Sequence, residues 1–595
     1  MKNLYSGVFL LLALALFSGS CKHDEDPEPT PEPTPDPTEE TVLDSLYRPV
    51  DPAIASSIGF FLDDWTPKSF VIPAASDEGT ITDNDATDTI NIDLNKVITK
   101  IPKYIFGNNA NQWMGQIADQ PVLMGFLRDL NTGVMRFPGG SISDVYYWNS
   151  PVNSPPADAA TTIYNIDGSA KTMAASDWWY GTRSKSENWT IALDNYYTML
   201  EQTNNVGMIT VNYGYARYGK GNDPVAAAAH LAADWVRHDN GRSKYWEIGN
   251  ESAGTWEAGY KINLDDNKDG QPQIITGALY GKHFKVFADS MRKAAQQIGV
   301  SIKIGAQVIG NPQASSGLTN STWNSSMFGS LGNDADFFIV HNYYAPWHQN
   351  STGAVILKSA LTETKTISNY VTNSASTNQV QMKPIAMTEW NIESEGSKQK
   401  VSAVAGIHAV LCVGEMLTYR IGQAARWDLA NAWENGNDHG LFNNSAGSAN
   451  PGEGTWNPRA AFYYLYYMQK YLGDRLVTTS VTPANSDIVA YSSTFSSGEA
   501  STIVVNTATT NRTVMININH FRAGTKYYWY SLKPGTDNGE FSAKVMVNAT
   551  NGAGTVGGPL TYASIKPFSA AMSSQSIKIT VPARATVYIV AEKKR

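Results

Sequence analysis

The chain is 595 residues long, 42% hydrophobic and 17% charged, with a net charge of −9. That length is more than one hydrophobic core usually serves, so more than one domain is expected, and the lack of a basic bias excludes a nucleic-acid-binding role. Two cysteines, Cys21 and Cys412, provide neither a disulfide framework nor a thiolate metal site.

The first residues read as an address. Lys2, an apolar run over residues 8–17 and Ser18-Gly19-Ser20 precede Cys21, which is the order of a signal peptide (residues 1–20); the run is about half the 20 residues that a membrane-spanning helix needs. Ser-Gly-Ser-Cys resembles a lipobox, with Ser18 where Leu is usual, and this implies a lipid anchor on Cys21. The alternative is an ordinary secreted chain that loses Cys21 with its signal. Lys22-His23-Asp24-Glu25-Asp26 resembles the acidic export signal of bacterial surface lipoproteins. Residues 27–40 alternate Pro with Glu, Thr and Asp; they cannot bury apolar surface, so residues 21–44 are expected to form an acidic, extended tether. Nine acids against two lysines in residues 1–44 leave the remainder of the chain near neutral. The expected location is the outer membrane or cell surface, with membrane contact only through the lipid anchor; periplasm or secretion is the alternative.

Residues 45–100 are polar and turn-rich except for an alternating run at 89–98, which predicts a strand paired with the distant C-terminal domain. From residue 101 short apolar runs alternate with helical patterns. Eight strands are predicted, at 104–107, 133–137, 208–212, 245–248, 302–305, 337–340, 385–388 and 425–428, the number of a closed (β/α)8 barrel. Asp223-Pro224 caps and starts a helix over 226–237. Residues 279–297 put Tyr280, Phe284, Phe287, Met291 and Ala295 on one helical face before Gly299 stops it. Cys412 falls in an apolar helix over 401–416, as a core residue. After residue 473 only β-branched or alternating runs remain, which predicts a β-sandwich over 474–595, of seven to nine strands including the run near Ile92. The fold class is therefore α/β: a catalytic barrel over 101–473, then the sandwich.

Two strand ends carry a carboxylate. Residues 245–252, Tyr-Trp-Glu-Ile-Gly-Asn-Glu-Ser, form an aromatic, apolar run that stops at Gly249 and presents Asn250 and Glu251; residues 385–391, Ile-Ala-Met-Thr-Glu-Trp-Asn, repeat the pattern with Glu389. The C-terminal strand ends of a barrel share one face, so Glu251 and Glu389 are expected to meet across one cleft. Facing carboxylates perform glycoside hydrolysis, with retention at about 5–5.5 Å and inversion at about 6.5–9.5 Å. No cofactor is expected, because a Glu pair needs none and no His/Asp cluster has metal-ligand spacing. The acidic run at 265–270 lacks the glutamate that completes a Ca²⁺ loop and reads as a solvated turn.

Asn250-Glu251 and Glu389 at these strand ends resemble the signature of clan A glycoside hydrolases, which are retaining enzymes. The resemblance implies Glu251 as proton donor (acid/base), Glu389 as nucleophile and Asn250 as the ligand of a sugar 2-hydroxyl. Arg136, in Val134-Met-Arg-Phe-Pro-Gly-Gly140, stands where clan members hold the nucleophile ionised; a structural ion pair is the alternative. His341-Asn-Tyr343-Tyr344 is similar to the clan's His-x-Tyr element, whose Tyr touches the nucleophile. Trp427, in Arg426-Trp-Asp428 with Asn431 and Trp433 beyond, is expected either to floor a sugar subsite or to pack the barrel mouth. Trp178, Trp179, Tyr180 and Trp189 suit an aromatic groove or a folded-back lid.

The order of N-terminal strand, barrel and sandwich looks like glycoside hydrolase families 51, 39 and 86. Residues 106–113, 136–144 and 210–218 look most like family 86, whose members are endo-acting β-agarases and β-porphyranases. That resemblance implies an endo-acting enzyme that cleaves β-1,4-galactosidic bonds in neutral or sulfated red-algal galactan by double displacement. Long insertions at 141–186, 252–276 and 310–332 fit a polymer cleft, and Arg183, Lys185, Arg217 or Lys220 could meet sulfate. The runner-up is an exo-acting α-L-arabinofuranosidase of family 51, which shares the Arg-x-Pro-Gly-Gly element. A non-catalytic glycan-binding surface lipoprotein is the alternative of another class, but it predicts loss of a catalytic Glu and both are present. The expected partner is a polysaccharide, and the protein is expected to be a monomer.

Overall fold

The computed structural model describes residues 51–594 apart from 183–188, 314–315, 347–348, 394–397, 433–437, 445–453, 553–556 and 573. The lipidation site read at Cys21 lies outside the described residues. Among the described residues, no helix is long and apolar enough to cross a membrane.

Eight parallel strands close into a barrel: Gly107–Asn109, Val134–Phe137, Val206–Val211, Ser243–Ile248, Lys303–Gln307, Phe337–Asn342, Ile385–Trp390 and Gln423–Arg426. The first departs from the sequence reading. Lys103–Phe106 is a 3-10 turn after Pro102, and the strand begins only at Gly107. Residues 104–106 are apolar because Tyr104 faces the barrel floor while Ile105 and Phe106 join the main core, so hydrophobicity without a β period misplaced the strand. The fifth and eighth strands are likewise displaced by one or two residues at their ends.

Strand alternation decides what enters the barrel. In Ser243–Ile248, Trp246 and Ile248 point outward into the core shared with the helices, whereas Tyr245 and Glu247 point inward. Tyr245 belongs to a floor cluster with Tyr104, Met208, Phe337 and Ala386. The 3-10 turn Gly59–Leu62 closes that floor: the Phe61 ring lies 5.2 Å from Tyr245 and 5.6 Å from Phe337. The N-terminal mouth is thus plugged by aromatic packing, and the polar residues higher in the barrel face only the C-terminal mouth.

Beyond the barrel, one curled sheet of 11 strands forms the sandwich, more than the seven to nine expected. The alternating run near Ile92 is its strand Asp88–Lys100, antiparallel to Arg475–Thr482 and parallel to Arg512–Asn519, with Ile90, Ile92 and Leu94 buried. The extra strands come from short stretches such as Asp77–Glu78 and Val545–Val547, which carry too few residues to show a period.

Two apolar helices, Ala403–Thr418 and Ala460–Tyr471, sit between barrel and sandwich. Tyr491 of the sandwich lies flat on Gly414 and donates its hydroxyl to Glu415 at 2.8 Å; Tyr588 donates to the Tyr464 carbonyl at 2.8 Å. A Cβ on Gly414 would come within 2.3 Å of the Tyr491 ring. Gly414→Val is therefore expected to destabilise the protein by about 1–3 kcal/mol through overpacking. Thermal or urea unfolding checks this, and an unchanged midpoint would contradict the packing described.

Candidate active site

The site grows from the end of the fourth strand. Gly249 has a φ of +73°, and a Cβ there would meet Tyr213, Gln307 and Ser252 within 3 Å. The chain turns at this glycine and delivers Glu251 in a left-handed conformation of its own (φ +39°), a strain that a functional site tolerates when its surroundings hold it. Register irregularities in the sixth and seventh strands, beside His341 and between Met387 and Trp390, turn the ends of those strands into the mouth.

Arg136 is the hub. Fully buried, it donates from Nε to Glu247 Oε2 (2.5 Å), from Nη1 to Glu389 Oε1 (2.8 Å) and Asn109 Oδ1 (2.9 Å), and from Nη2 to Asn250 Oδ1 (2.8 Å). Burial works against its charge, but the Glu247 and Glu389 carboxylates override burial and raise its pKa. Glu389 is also buried, and its other oxygen accepts the Tyr343 hydroxyl at 2.8 Å. Asn109 donates to the Thr388 and Ala425 carbonyls, which ties the first strand to the seventh and eighth beside Glu389.

Across the mouth, Glu251 Oε1 lies 2.9 Å from His341 Nδ1, and Oε2 accepts the Trp256 indole N–H at 2.8 Å. His341 Nε2 lies 3.0 Å from Thr388 Oγ1, and Nδ1 lies 3.9 Å from Glu389 Oε2. One oxygen each of Glu251 and Glu389, with His341 Nδ1, lie within 4.8 Å of one another. These three are the set with metal-ligand proximity among the described residues. Burial acts to raise the Glu251 pKa, but the His341 contact, the Trp256 donor and the Arg136 charge hold it below the ordinary glutamate value. Burial acts to lower that of His341, and the two carboxylates raise it instead.

Asn250 is clamped rather than free. Its backbone N–H goes to Asp144 Oδ2 (3.1 Å), its carbonyl oxygen faces Arg136, and its Nδ2 donates to Glu257 Oε1 (2.8 Å). Burial lifts Asp144 to about 7 despite its backbone N–H partners, and burial with the Asp144 and Glu251 charges pushes Glu257 well above the carboxylate range. Trp427 is half-buried, its ring lying on Gly140 and edge-on to Trp113 at 6.1 Å. On the Glu251 side a pocket of about 150 Å³ is lined by Trp256, Gln307, Asn311, His341 and Asn342, and Glu389 does not reach it. That is roughly ten times the space one enclosed water needs.

The mouth thus gathers Glu251, Glu389, Asn250, Arg136, His341, Tyr343 and Trp427. Arg217 is not among them: it is buried and committed to the Gly259 and Pro272 carbonyls and to Gln271, so it is closed to a sulfate. Trp178 and Tyr180 are core, while Trp189 is exposed and edge-on to Trp179. Arg183, Lys185 and Trp433 lie outside the described residues. Sequence reasoning missed Asn109, Asp144, Glu247, Trp256 and Glu257. Glu247 had a signal, a charge at an inward position of an apolar strand; Trp256 and Glu257 sit in an irregular loop where no period exists to read.

No family model matches the chain. An intracellular exo-α-L-arabinofuranosidase of Bacteroides ovatus is 29% identical over 198 residues, 28% of this chain and 34% of that protein, so the match spans about a third of the relative's length. Solved structures match more widely. The α-L-arabinofuranosidase of Thermotoga maritima, an arabinose complex, has a TM-score of 0.56 at 15% identity and covers 85% of this chain and 99% of its own. The family 44 xyloglucanase of Paenibacillus polymyxa has a TM-score of 0.57 at 12% identity, over 86% and 100%. The likeness is one of fold, a closed (β/α)8 barrel with an attached β-sandwich. This fold places the fourth and seventh strand ends, and with them Glu251 and Glu389, on one mouth.

Two outcomes follow from the Glu251 environment. Trp256→Phe removes a donor that lowers the Glu251 pKa, so the limb of the kcat/KM pH profile governed by Glu251 is expected to move to higher pH; an unmoved or lowered limb contradicts this. In stability, the raised His341 pKa gives a contribution fully present below about pH 6.5 and lost as pH rises through the folded value. The depressed Glu251 pKa gives one present above about pH 4.5 that is lost as pH falls through its folded value. Unfolding measured against pH should therefore lose stability on both sides of that window, and His341→Ala should flatten the alkaline side.

Proposed function

We propose that this chain is a retaining glycoside hydrolase, and that its substrate is an α-L-arabinofuranoside. The observation that carries the reaction type is the approach of Glu251 and Glu389 to within 4.8 Å across the barrel mouth, which is retaining rather than inverting spacing. Support for the sugar comes from the Bacteroides ovatus relative, named an exo-α-L-arabinofuranosidase, and from structural neighbours named arabinofuranosidases. The galactan reading rested on short motifs alone, and the relatives favour the arabinofuranoside.

In this reading a Glu389 oxygen attacks the anomeric carbon as the glycosidic bond breaks, and the departing oxygen takes a proton from Glu251. Because Glu251 and His341 share a contact of 2.9 Å, the proton belongs to the pair rather than to Glu251 alone. Water then attacks the anomeric carbon, returns a proton to Glu251 and releases Glu389. Tyr343 and Arg136 hold the two Glu389 oxygens in place until the residue reacts. The leaving group departs on the Glu251 side, where the pocket walled by Trp256 has room for a sugar ring.

The test is hydrolysis of 4-nitrophenyl α-L-arabinofuranoside and arabinan beside agarose and porphyran. Arabinose release, and its fall by at least about 10³-fold in Glu389→Ala, are expected. Galactan oligosaccharides without arabinose would overturn the substrate, and full activity in Glu389→Ala would overturn the mechanism.

A further inference from the structure

Glu247 is a buried carboxylate to which the double displacement gives no task. It is 1% exposed, inside the barrel two residues before the turn at Gly249. Its Oε2 accepts Arg136 Nε at 2.5 Å and the Thr210 hydroxyl at 2.7 Å, and its Oε1 is buried with no hydrogen-bond partner among the described residues. An ionised group in such a place is unfavourable unless it is paired, and among the described residues its ion pair is with Arg136.

One guanidinium therefore stands between two buried carboxylates, Glu247 on Nε and Glu389 on Nη1. In the free enzyme this is one positive charge against two negative ones. When a Glu389 oxygen bonds to the anomeric carbon, the glycosidic bond breaks, the leaving oxygen takes the proton from Glu251, and Glu389 becomes a neutral ester. The Arg136 charge does not change. With Glu247 in place the guanidinium still has a carboxylate in direct contact; without it, only the neutral Asn109 and Asn250 oxygens would touch the buried cation, which is disfavoured. Before the reaction, Glu247 also holds the Nε edge, which leaves the fork of Nη1 and Nη2 directed at Glu389 and Asn250.

We propose that Glu247 is a positioning residue that balances the Arg136 charge when Glu389 is esterified, so that the glycosyl-enzyme forms without an unpaired buried cation. The proposal rests on Glu389 acting as nucleophile. Its role is specific to one half of the cycle: losing the Glu247 charge disfavours forming the ester and favours breaking it, because hydrolysis restores the Glu389 charge.

The experiment compares wild type, Glu247→Gln and Glu247→Asp with 2,4-dinitrophenyl 2-deoxy-2-fluoro-α-L-arabinofuranoside, following ester formation and release by mass spectrometry, with thermal unfolding to establish that each variant is folded. Glu247→Gln keeps the shape and an acceptor for Nε but removes the charge. Ester formation is expected to slow by about ten- to hundredfold, the scale of one charge-assisted interaction, while release is unchanged or faster and substrate KM stays within about twofold. Glu247→Asp, which keeps the charge, is expected to form the ester within about threefold of wild type, and it serves alone if the Gln variant does not fold. Equal slowing of both steps in folded Glu247→Gln, no slowing, or tenfold slowing in folded Glu247→Asp overturns the proposal. Wild type that hydrolyses the parent glycoside yet forms no ester at Glu389 overturns the double displacement, and the proposal with it.

Discussion

A single buried arginine organises the mouth of the barrel. Arg136, fully enclosed at the end of the second strand, binds Asn109, Glu247, Asn250 and Glu389 from three other strand ends. A guanidinium without solvent is stable only where acceptors surround it in the right geometry. The first, second, fourth and seventh strands must therefore end at fixed heights, and the plugged floor of Phe61, Tyr104, Tyr245 and Phe337 sets those heights from below. Packing at one end of the barrel and charge at the other act on the same strands.

The two carboxylates of the mouth owe their different environments to that arrangement. Glu389 is buried and pinned by Arg136 and Tyr343. Glu251 stands on a strained turn, is a quarter exposed at its side chain, and contacts His341, which can give and take a proton, and the Trp256 indole, which donates its N–H. Two carboxylates in unlike surroundings are how one site runs nucleophilic and acid/base chemistry together. Asn250 links the two halves, since its amide oxygen meets Arg136 while its amide nitrogen meets Glu257.

Much of this was legible in the residues because strand ends announce themselves. An apolar run that stops at Gly249 and then shows Asn250 and Glu251 can end only where the chain leaves the barrel, and the same holds for Thr388-Glu389. Helices were legible through their period and caps: the Asp223 side chain does accept from Ala226 N. Three things were not. Tyr104 to Phe106 read as a strand because floor packing and strand burial demand the same residues. Trp256, Glu257 and Asp144 are placed by loop geometry, which leaves no periodic trace. The sugar was not legible either: the relatives favour the arabinofuranoside runner-up over galactan, and the short stretches that pointed to galactan lie in loops and strand ends that serve the scaffold. Glu247 sits between these cases, visible as a charge in an apolar strand but interpretable only once Arg136 lies against it.

A double displacement by Glu251 and Glu389 at the barrel mouth would retain the anomeric configuration, whereas direct attack by water would invert it. Proton NMR of the sugar first released from an aryl α-L-arabinofuranoside, recorded before mutarotation, distinguishes the two. The first product is expected to have the anomeric configuration of the substrate; a first product of inverted configuration would rule the double displacement out.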